Sequence, residues 1–424
     1  MRSFNADLHI HSLHSIGVSK NMTIPNLVKG ARKKGIHLLG TGDVTQPDWL
    51  NHLERTLTNK NGAFVCEQVA FVPTVEIEDT EAVHHLVLLP DFETVRSLRD
   101  DLSDYSSNIN QTWGGRPRVN LHGETLAGLV RDNEGMIGPA HAFTPFKAIF
   151  REGKYDNLVD CYGNEAKHIH FIELGLSADS AIADHIPELR ELTYITSSDA
   201  HSPSPDKIGR EYVTFTMESA TYDEIRMAIL REKGRKPILN VGFDPRLGKY
   251  YLSFCSSCRR TLIVKQGDAA PEFDDLNIYI SVKSPEEKER LLRDIHRRRV
   301  LCPVDGKKLR LGVRDRAMQI GEAKSISPSH RPRYLHIPPL LDLMSNALGI
   351  KSKTSRGLQF IYNQLRSTFG PETEILTKTP ISEVKAINGT IGKMLEVYRD
   401  GTIKYIPGGG GRYGSFSLPW ELDE

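Results

Sequence analysis

A chain of 424 residues, 39% hydrophobic and 26% charged, has room for two or three domains and the composition of an ordinary soluble protein. No run of about 18 apolar residues occurs, and Met1-Arg2-Ser3-Phe4-Asn5-Ala6-Asp7 lacks the apolar core of a secretory signal, so a cytoplasmic protein with no membrane partner is expected. The net charge of +1 conceals two halves of opposite sign: residues 1–245 carry 25 Lys and Arg against 34 Asp and Glu, residues 246–424 carry 30 against 20. An acidic front and a basic back suit a cation-loaded site joined to a module that holds a polyanion.

In chain order, Leu27 to Gly35 reads as a helix ending at a glycine cap. His37 to Gly40 then reads as a buried strand running into the polar Thr41-Gly42-Asp43. Similar passages from strand to loop are Ala70 to Glu76, His85 to Leu89, Ile137 to His141, His170 to Leu174 and Thr193 to Ser198. Repeated units of this kind, with polar residues at the strand exits, favour an α/β barrel over an open sheet. Tyr105 to Leu121, with Gly114-Gly115-Arg116-Pro117-Arg118, reads as a long polar loop and a candidate lid. A boundary is expected within Pro237 to Leu247. The segment 246–320 holds Cys255-x-x-Cys258, a charged helix from Pro285 to Arg299, and the tight turn Cys302-Pro303-Val304-Asp305-Gly306. Ser325 to Pro339, rich in Pro, Ser and Arg, reads as a linker. Apolar residues at helical spacing follow from Leu340 to Leu348 and from Leu358 to Leu365. The expected division is 1–245, 246–320 and 321–424.

The chemistry-bearing residues are unevenly placed. Thirteen of the sixteen histidines lie in residues 1–245. His9, His11, Asp43, Glu76, His84-His85, His141, Asp199 and His201 fall at wide intervals, several of them directly after apolar runs. Ligands at successive strand exits converge on one face of a barrel, which is how a multi-metal hydrolytic site is assembled. Imidazole suits Zn, Mn and Fe, and a bridging carboxylate can bring two ions together. His37, His52, His122, His168, His170 and His185 lie outside this pattern and read as surface or packing residues. Asp7 reads as an orienting acceptor, and Cys66 and Cys161 as core residues.

Six stretches carry a resemblance: Asp7-Leu8-His9-Ile10-His11-Ser12, Thr41-Gly42-Asp43, Val75-Glu76-Ile77, His85-Leu86-Val87-Leu88, Pro139-Ala140-His141 and Ser198-Asp199-Ala200-His201. Over roughly the first 215 residues the chain resembles the polymerase and histidinol phosphatase (PHP) family. That resemblance implies a distorted (β/α)7-type barrel with two or three divalent cations (Zn, Mg or Mn). It implies that His9, His11, Glu76 and Asp199 hold one ion, and that Glu76 bridges to a second held by His85 and His141. His201 and Asp43 would serve a third. His85 is preferred to His84 because Leu-Val-Leu follows it. Glu173 is expected at the same mouth as a supporting group. One departure stands out: Val44 follows Asp43 where the family has histidine, so two ions are the firmer expectation.

Five cysteines without a secretion signal argue against a disulfide framework. Cys255-x-x-Cys258 and Cys302-x-x-Asp305 resemble two facing zinc knuckles with a carboxylate as the fourth ligand. One structural zinc is therefore expected, with His296 a weaker candidate ligand. Arg293, Arg297, Arg298, Arg299, Lys307, Lys308 and Arg310, then Lys351, Lys353 and Arg356, match phosphate holding. Arg331-Pro332-Arg333-Tyr334 and Arg412-Tyr413-Gly414 add aromatics able to stack on a base.

The order of barrel, Asn240-Val241-Gly242-Phe243-Asp244-Pro245-Arg246-Leu247-Gly248-Lys249-Tyr250, zinc knuckles and helical C-terminal region resembles the endonuclease Q family across nearly the whole chain. That resemblance implies a DNA repair endonuclease cutting 5′ to deaminated bases (uracil, hypoxanthine, xanthine) and abasic sites. Glu76, Asp199, Glu173 and Arg210 would carry the reaction, Arg210 as a phosphate clamp, and damaged DNA would be the partner. A sliding clamp is a further candidate partner, although Ser417-Leu418-Pro419-Trp420 forms no clean clamp-binding peptide. The competing reading is a PHP-type small-molecule phosphomonoesterase with an accessory zinc domain. A third makes it a DNA-binding module whose barrel has decayed.

Overall fold

The computed structural model describes residues 1–322 and 324–418; Pro419 and Trp420, weighed above as part of a clamp-binding peptide, lie outside them. Twenty strands are described among these residues. The first twelve are β1 (Arg2–Asp7), β2 (Leu38–Gly40), β3 (Thr58–Lys60), β4 (Ala63–Cys66), β5 (Val69–Val72), β6 (Thr74–Glu78), β7 (His84–Leu88), β8 (Met136–Pro139), β9 (Phe171–Glu173), β10 (Thr193–Ile195), β11 (Tyr212–Met217) and β12 (Lys236–Gly242). The helix Ile24–Lys34 between β1 and β2 ends as its sequence suggests: Gly35, at φ +86°, donates its N–H to the Ala31 carbonyl.

Hydrogen bonds lead round a closed circuit. β1 runs parallel to β2, and β2 parallel to β5. Past Pro73 the chain continues as β6, which pairs with β7, and β7 with β8. Ala142 N–H, just beyond β8, donates to the Glu173 carbonyl of β9. β9 pairs with β10, and a parallel bridge from Ile10 to Ala200 returns to the exit of β1. Alternate residues of these strands point inward and are buried together: Leu8, Leu38, Val72, Leu86, Phe171 and Ile195 belong to one apolar cluster.

One expectation is made specific and one is corrected. The distortion of the circuit lies at β7, which runs antiparallel to both β6 and β8. A loop of five residues between β6 and β7 is a hairpin connection, too short for a parallel crossover. The stretch from Ser325 to Pro339 is not a free linker. It contains β18 (Arg333–His336), which pairs in parallel with β12 and forms an edge of the eight-stranded sheet. Just before it, the Arg331 guanidinium is 2% exposed, lies 3.1 Å from Asp184 and stacks over Tyr194. It is fixed in the interior.

The second region is a five-stranded sheet of β13 (Phe254–Cys255), β14 (Thr261–Gln266), β15 (Glu272–Phe273), β16 (Asn277–Val282) and β17 (Leu309–Arg310). The helix Pro285–His296 covers it, capped by Ser284 and burying Leu292 and Ile295. Helices Leu340–Ala347, Arg356–Phe369, Glu372–Thr377, Ile381–Ile387 and Gly389–Arg399 form the third region. After them come β19 (Lys404–Ile406) and β20 (Ser415–Ser417). A buried ion pair, Lys34 Nζ to Glu372 Oε1 at 2.7 Å, ties the helices to the front of the chain. Among the described residues, no helix is long and apolar enough to cross a membrane.

Candidate metal centre and active site

The exits of the strand circuit bring together six residues in two groups of three, five of them expected ligands and the sixth His84. The ligand atoms of His9, His11 and Asp199 lie within 4.8 Å of one another, as do those of Glu76, His84 and His141. Extended backbone points His9 and His11 to one side while Leu8 and Ile10 pack on the other. Each of the two imidazoles is oriented by a carboxylate behind it. His9 Nδ1 donates to Glu173 Oε2 at 2.8 Å, and His11 Nδ1 to Asp43 Oδ1 at 3.0 Å. Both Nε2 atoms are thereby turned inward, the arrangement that supporting carboxylates impose on metal-binding histidines.

Glu76 stands between the two groups. Its Oε1 is 2.7 Å from His84 Nδ1 and 2.8 Å from His141 Nε2, while its Oε2 is 3.5 Å from His11 Nε2. Asp199 Oδ1 is 3.1 Å from His11 Nε2 and 3.8 Å from His9 Nε2. His9 Nε2 and Asp199 Oδ1 are buried and make no hydrogen bond, while Glu76 Oε2 beside them is ion-paired with the Arg116 guanidinium. Buried polar atoms are rarely left unpaired, and these two, beside a carboxylate that already faces positive charge, fit a cation. Burial opposes the charged form of His9, yet Glu173, Glu76 and Asp199 outweigh it and raise its pKa to about 10. In the same way Asp43, Asp199 and Glu76 raise His11 to about 9. The site is thus negative enough to retain protons on imidazole, and a divalent ion would displace them.

The backbone is bent to make this arrangement. His141 and Asp199, each just beyond a strand, have φ of +30° and +46°. Such values are uncommon for residues with a Cβ and concentrate at functional sites. Gly175, at φ +74°, lies against His141: a Cβ there would be 2.7 Å from the His141 Cβ.

His84, not His85, faces the site. Glu78 pairs with His84 across the hairpin and Ile77 with His85, so His84 shares a face with Glu76 and Glu78, and His85 takes the other. His85 lies in a separate buried group, with Nδ1 2.7 Å from the Tyr162 hydroxyl and Nε2 3.1 Å from Asp79 Oδ2. Cys161, read as a core residue, is buried beside them. Asp43 and His201 belong to neither ligand group. Both Asp43 oxygens are already engaged, Oδ1 by His11 and Oδ2 by the Ser12 N–H and hydroxyl at 2.7 Å each. His201 Nδ1 lies 2.8 Å from the carbonyl of Asp199. Glu173 is fully buried and also accepts the His141 N–H at 2.8 Å, so it positions two ligands.

The centre opens into a cleft of about 1020 Å³ whose far wall includes Lys249, Tyr250, Lys351, Lys353 and Tyr413. Arg210 lines it too, with its Nε donating to the Ser198 carbonyl at 2.9 Å. The expected lid is pinned rather than free: Glu78 N–H donates to the Pro117 carbonyl, and Val119 N–H to that of Glu78. It carries Arg116 into the centre, against Glu76.

The second expected metal site is assembled. The ligand atoms of Cys255, Cys258, Cys302 and Asp305 lie within 4.8 Å of one another, and His296 is outside the group. A tetrahedron with zinc–sulfur distances of about 2.3 Å has sulfur–sulfur edges of about 3.8 Å. Cys258 Sγ and Cys302 Sγ are 3.8 Å apart.

The whole chain superimposes on the crystal structure of the lesion-specific endonuclease PfuEndoQ from Pyrococcus furiosus. The TM-score is 0.86 at 36% identity, covering 100% of this chain and 97% of that one. The chain belongs to the endonuclease Q family. A structure of endonuclease Q in complex with a 27-mer duplex substrate, with an abasic lesion at its active site, is similar to 99% of this chain. It matches over 98% of its own length at 36% identity and a TM-score of 0.85. Residues 339–402 match the family described as the MJ0043 C-terminal domain. MJ0043 itself, an uncharacterized protein of Methanocaldococcus jannaschii, is 31% identical over 298 residues. That span is 68% of this chain, but the chain covers only 33% of MJ0043. For this endonuclease Q family chain, the sequence reading weighed His84 but preferred His85, and it missed Arg116 as a site residue. His84 follows from two-residue alternation with Glu76 once the hairpin is recognised. Arg116 was visible only as part of a Gly-Gly-Arg-Pro-Arg loop.

Proposed function

We propose that this endonuclease Q family member is a metal-dependent DNA repair endonuclease. It hydrolyses the phosphodiester 5′ to deaminated bases (uracil, hypoxanthine, xanthine) and abasic sites, and its strand circuit is a PHP barrel. The observation that carries the reading is the convergence of His9, His11 and Asp199 with Glu76, His84 and His141 in two adjacent ligand groups, where buried His9 Nε2 and Asp199 Oδ1 make no hydrogen bond. Mixed imidazole and carboxylate donors suit Zn or Mn. Bound there, two divalent ions would neutralise phosphate charge and lower the pKa of water. His9, His11 and Asp199 would hold one, His84 and His141 the other, with Glu76 shared. Glu173 and Asp43 keep the imidazoles of His9 and His11 turned inward.

Arg210, Lys249 and Lys351 offer positive charge along the cleft for the strand on either side of the cut. Base extrusion from duplex costs least where pairing is already damaged, which fits a preference for lesions. The cysteine group would hold a structural zinc, fixing the sheet against the helix Pro285–His296. The test is incubation with end-labelled duplexes bearing uracil, hypoxanthine or an abasic site, with and without added Mg²⁺, Mn²⁺ or Zn²⁺ after chelation. Metal-dependent nicking 5′ to the lesion is expected. Asp199→Asn should lose cleavage while still binding DNA, and full activity in that variant would refute the site assignment.

A further inference from the structure

The position expected for a third ion is filled by protein. Val44 occupies the place of a histidine and is fully buried. Asp43 has both oxygens engaged by His11 and Ser12. Gly115 then covers that carboxylate: a Cβ at Gly115 would be 2.5 Å from Asp43 Oδ2 and 2.6 Å from Ser15 Oγ. Only glycine lets the loop approach so closely. The approach is pinned by Gly115 N–H donating to the His14 carbonyl at 3.2 Å.

The next residue is Arg116. Its guanidinium pairs with Glu76 Oε2 through Nε, and Nη2 lies 3.2 Å from His11 Nε2. The side chain remains 30% exposed toward the cleft. We propose that Arg116 is the fixed third cation of this centre: its guanidinium replaces a third metal ion and faces the scissile phosphate. The inference rests on the multi-metal reading above. A phosphodiester carries one negative charge where a terminal phosphate near neutral pH carries about two. A single positive charge in this position, presented as a planar fork, matches the diester better than a third divalent ion would.

The test uses the full-length protein. Ions are counted by elemental analysis, and those that survive a thiol-directed mercurial are assigned to the two ligand groups at the strand exits, neither of which contains a cysteine. Two barrel ions per chain are expected in the wild type. Arg116→Met should keep two but hold them roughly tenfold or more tightly in chelator competition, because a positive charge beside the ion seats has been removed. Its nicking of an abasic duplex should nonetheless slow by about a hundredfold. Arg116→Lys, which retains the charge, should bind ions with wild-type affinity. Tighter ion binding together with slower cleavage is a pattern that a merely structural arginine would not produce. Three barrel ions in the wild type, or unchanged ion affinity in Arg116→Met, would overturn the inference while leaving the endonuclease reading intact. No barrel ion in the wild type would overturn both.

Discussion

The assignment of His84 over His85 separates two kinds of damage and can be tested with a pair of alanine variants. His84→Ala removes a nitrogen 2.7 Å from Glu76 Oε1 and 3.2 Å from His141 Nε2. Loss of a mere supporting partner costs metal affinity about 10–100-fold, so loss of a ligand should cost at least that. The fold should survive, because the carboxylates that His84 meets keep other partners, Glu76 with His141 and Glu78 with Lys147. His85→Ala acts elsewhere. It leaves the Tyr162 hydroxyl and Asp79 Oδ2 without their partners in a buried pocket. At about 1–3 kcal/mol for each orphaned group, the cost is roughly 2–6 kcal/mol before any cavity is counted. Elemental analysis of barrel ions, thermal denaturation and nicking of an abasic duplex should therefore diverge. His84→Ala should lose ions and activity at a nearly unchanged midpoint. His85→Ala should lower the midpoint clearly and retain its ions while folded. The reasoning is refuted if His85→Ala loses ions at an unchanged midpoint, or if His84→Ala binds ions as the wild type does.

Three further outcomes follow from buried groups. Lys34→Ala leaves Glu372 as a buried carboxylate without its cation, although the Leu340 N–H and the Tyr362 hydroxyl still reach it; about 3–5 kcal/mol of stability should be lost, read as a lower denaturation midpoint and faster proteolysis beyond residue 339. Cys302→Ser should release one zinc per chain and unfold the second region first, as seen by hydrogen exchange across 254–311, while barrel ions stay bound. Burial raises the pKa of Glu211 from 4.5 to about 8, against the Phe243 N–H and Arg210, which act to lower it. Between those pH values the native state holds a proton that the unfolded chain has released, so stability should fall as pH rises through this window. Glu211→Gln should flatten that dependence in midpoints measured from pH 5 to 8, and an unchanged slope would remove Glu211 as its source.

What could be read in advance was local and periodic. His9 and His11 announce themselves because a strand exit with alternating Leu8 and Ile10 leaves both imidazoles on one side. The cysteine site was legible because short spacings on two turns already dictate near-tetrahedral geometry. The hairpin of β6 and β7 was not legible, and with it went the choice between His84 and His85: both open the strand, and only the register that pairs His84 with Glu78 and His85 with Ile77 decides which one shares a face with Glu76. Asp43 was recognisable as part of the site but not as an orienting group, since its role depends on Ser12 and on the loop at Gly115. The misread linker had a similar cause. Composition marks Pro, Ser and Arg as loop-forming, yet Arg331 finds Asp184 and Tyr194 across more than 130 residues of chain, a pairing that no local pattern encodes.

These long-range ties also decide how the function should be dissected. The cleft is walled by residues from all three regions: His141 and Arg210 from the first, Lys249 and Tyr250 at the start of the second, Lys351, Lys353 and Tyr413 from the third. Cutting the chain near residue 245 would remove β18, expose the edge of β12, strand Asp184 without Arg331 and uncover Lys34. An exposed strand edge and unpaired buried charges destabilise whatever the truncated barrel could still catalyse. Loss of activity in such a fragment would say nothing about its substrate. Point substitutions on the far wall do separate the cases. Lys249→Ala with Lys351→Ala leaves both metal groups and the buried pairs untouched and removes positive charge facing the cleft, together with the stacking of Lys249 over Tyr413. A polyanionic substrate should then bind more weakly and with a shallower salt dependence, whereas hydrolysis of a small phosphate ester at the same centre should be unaffected.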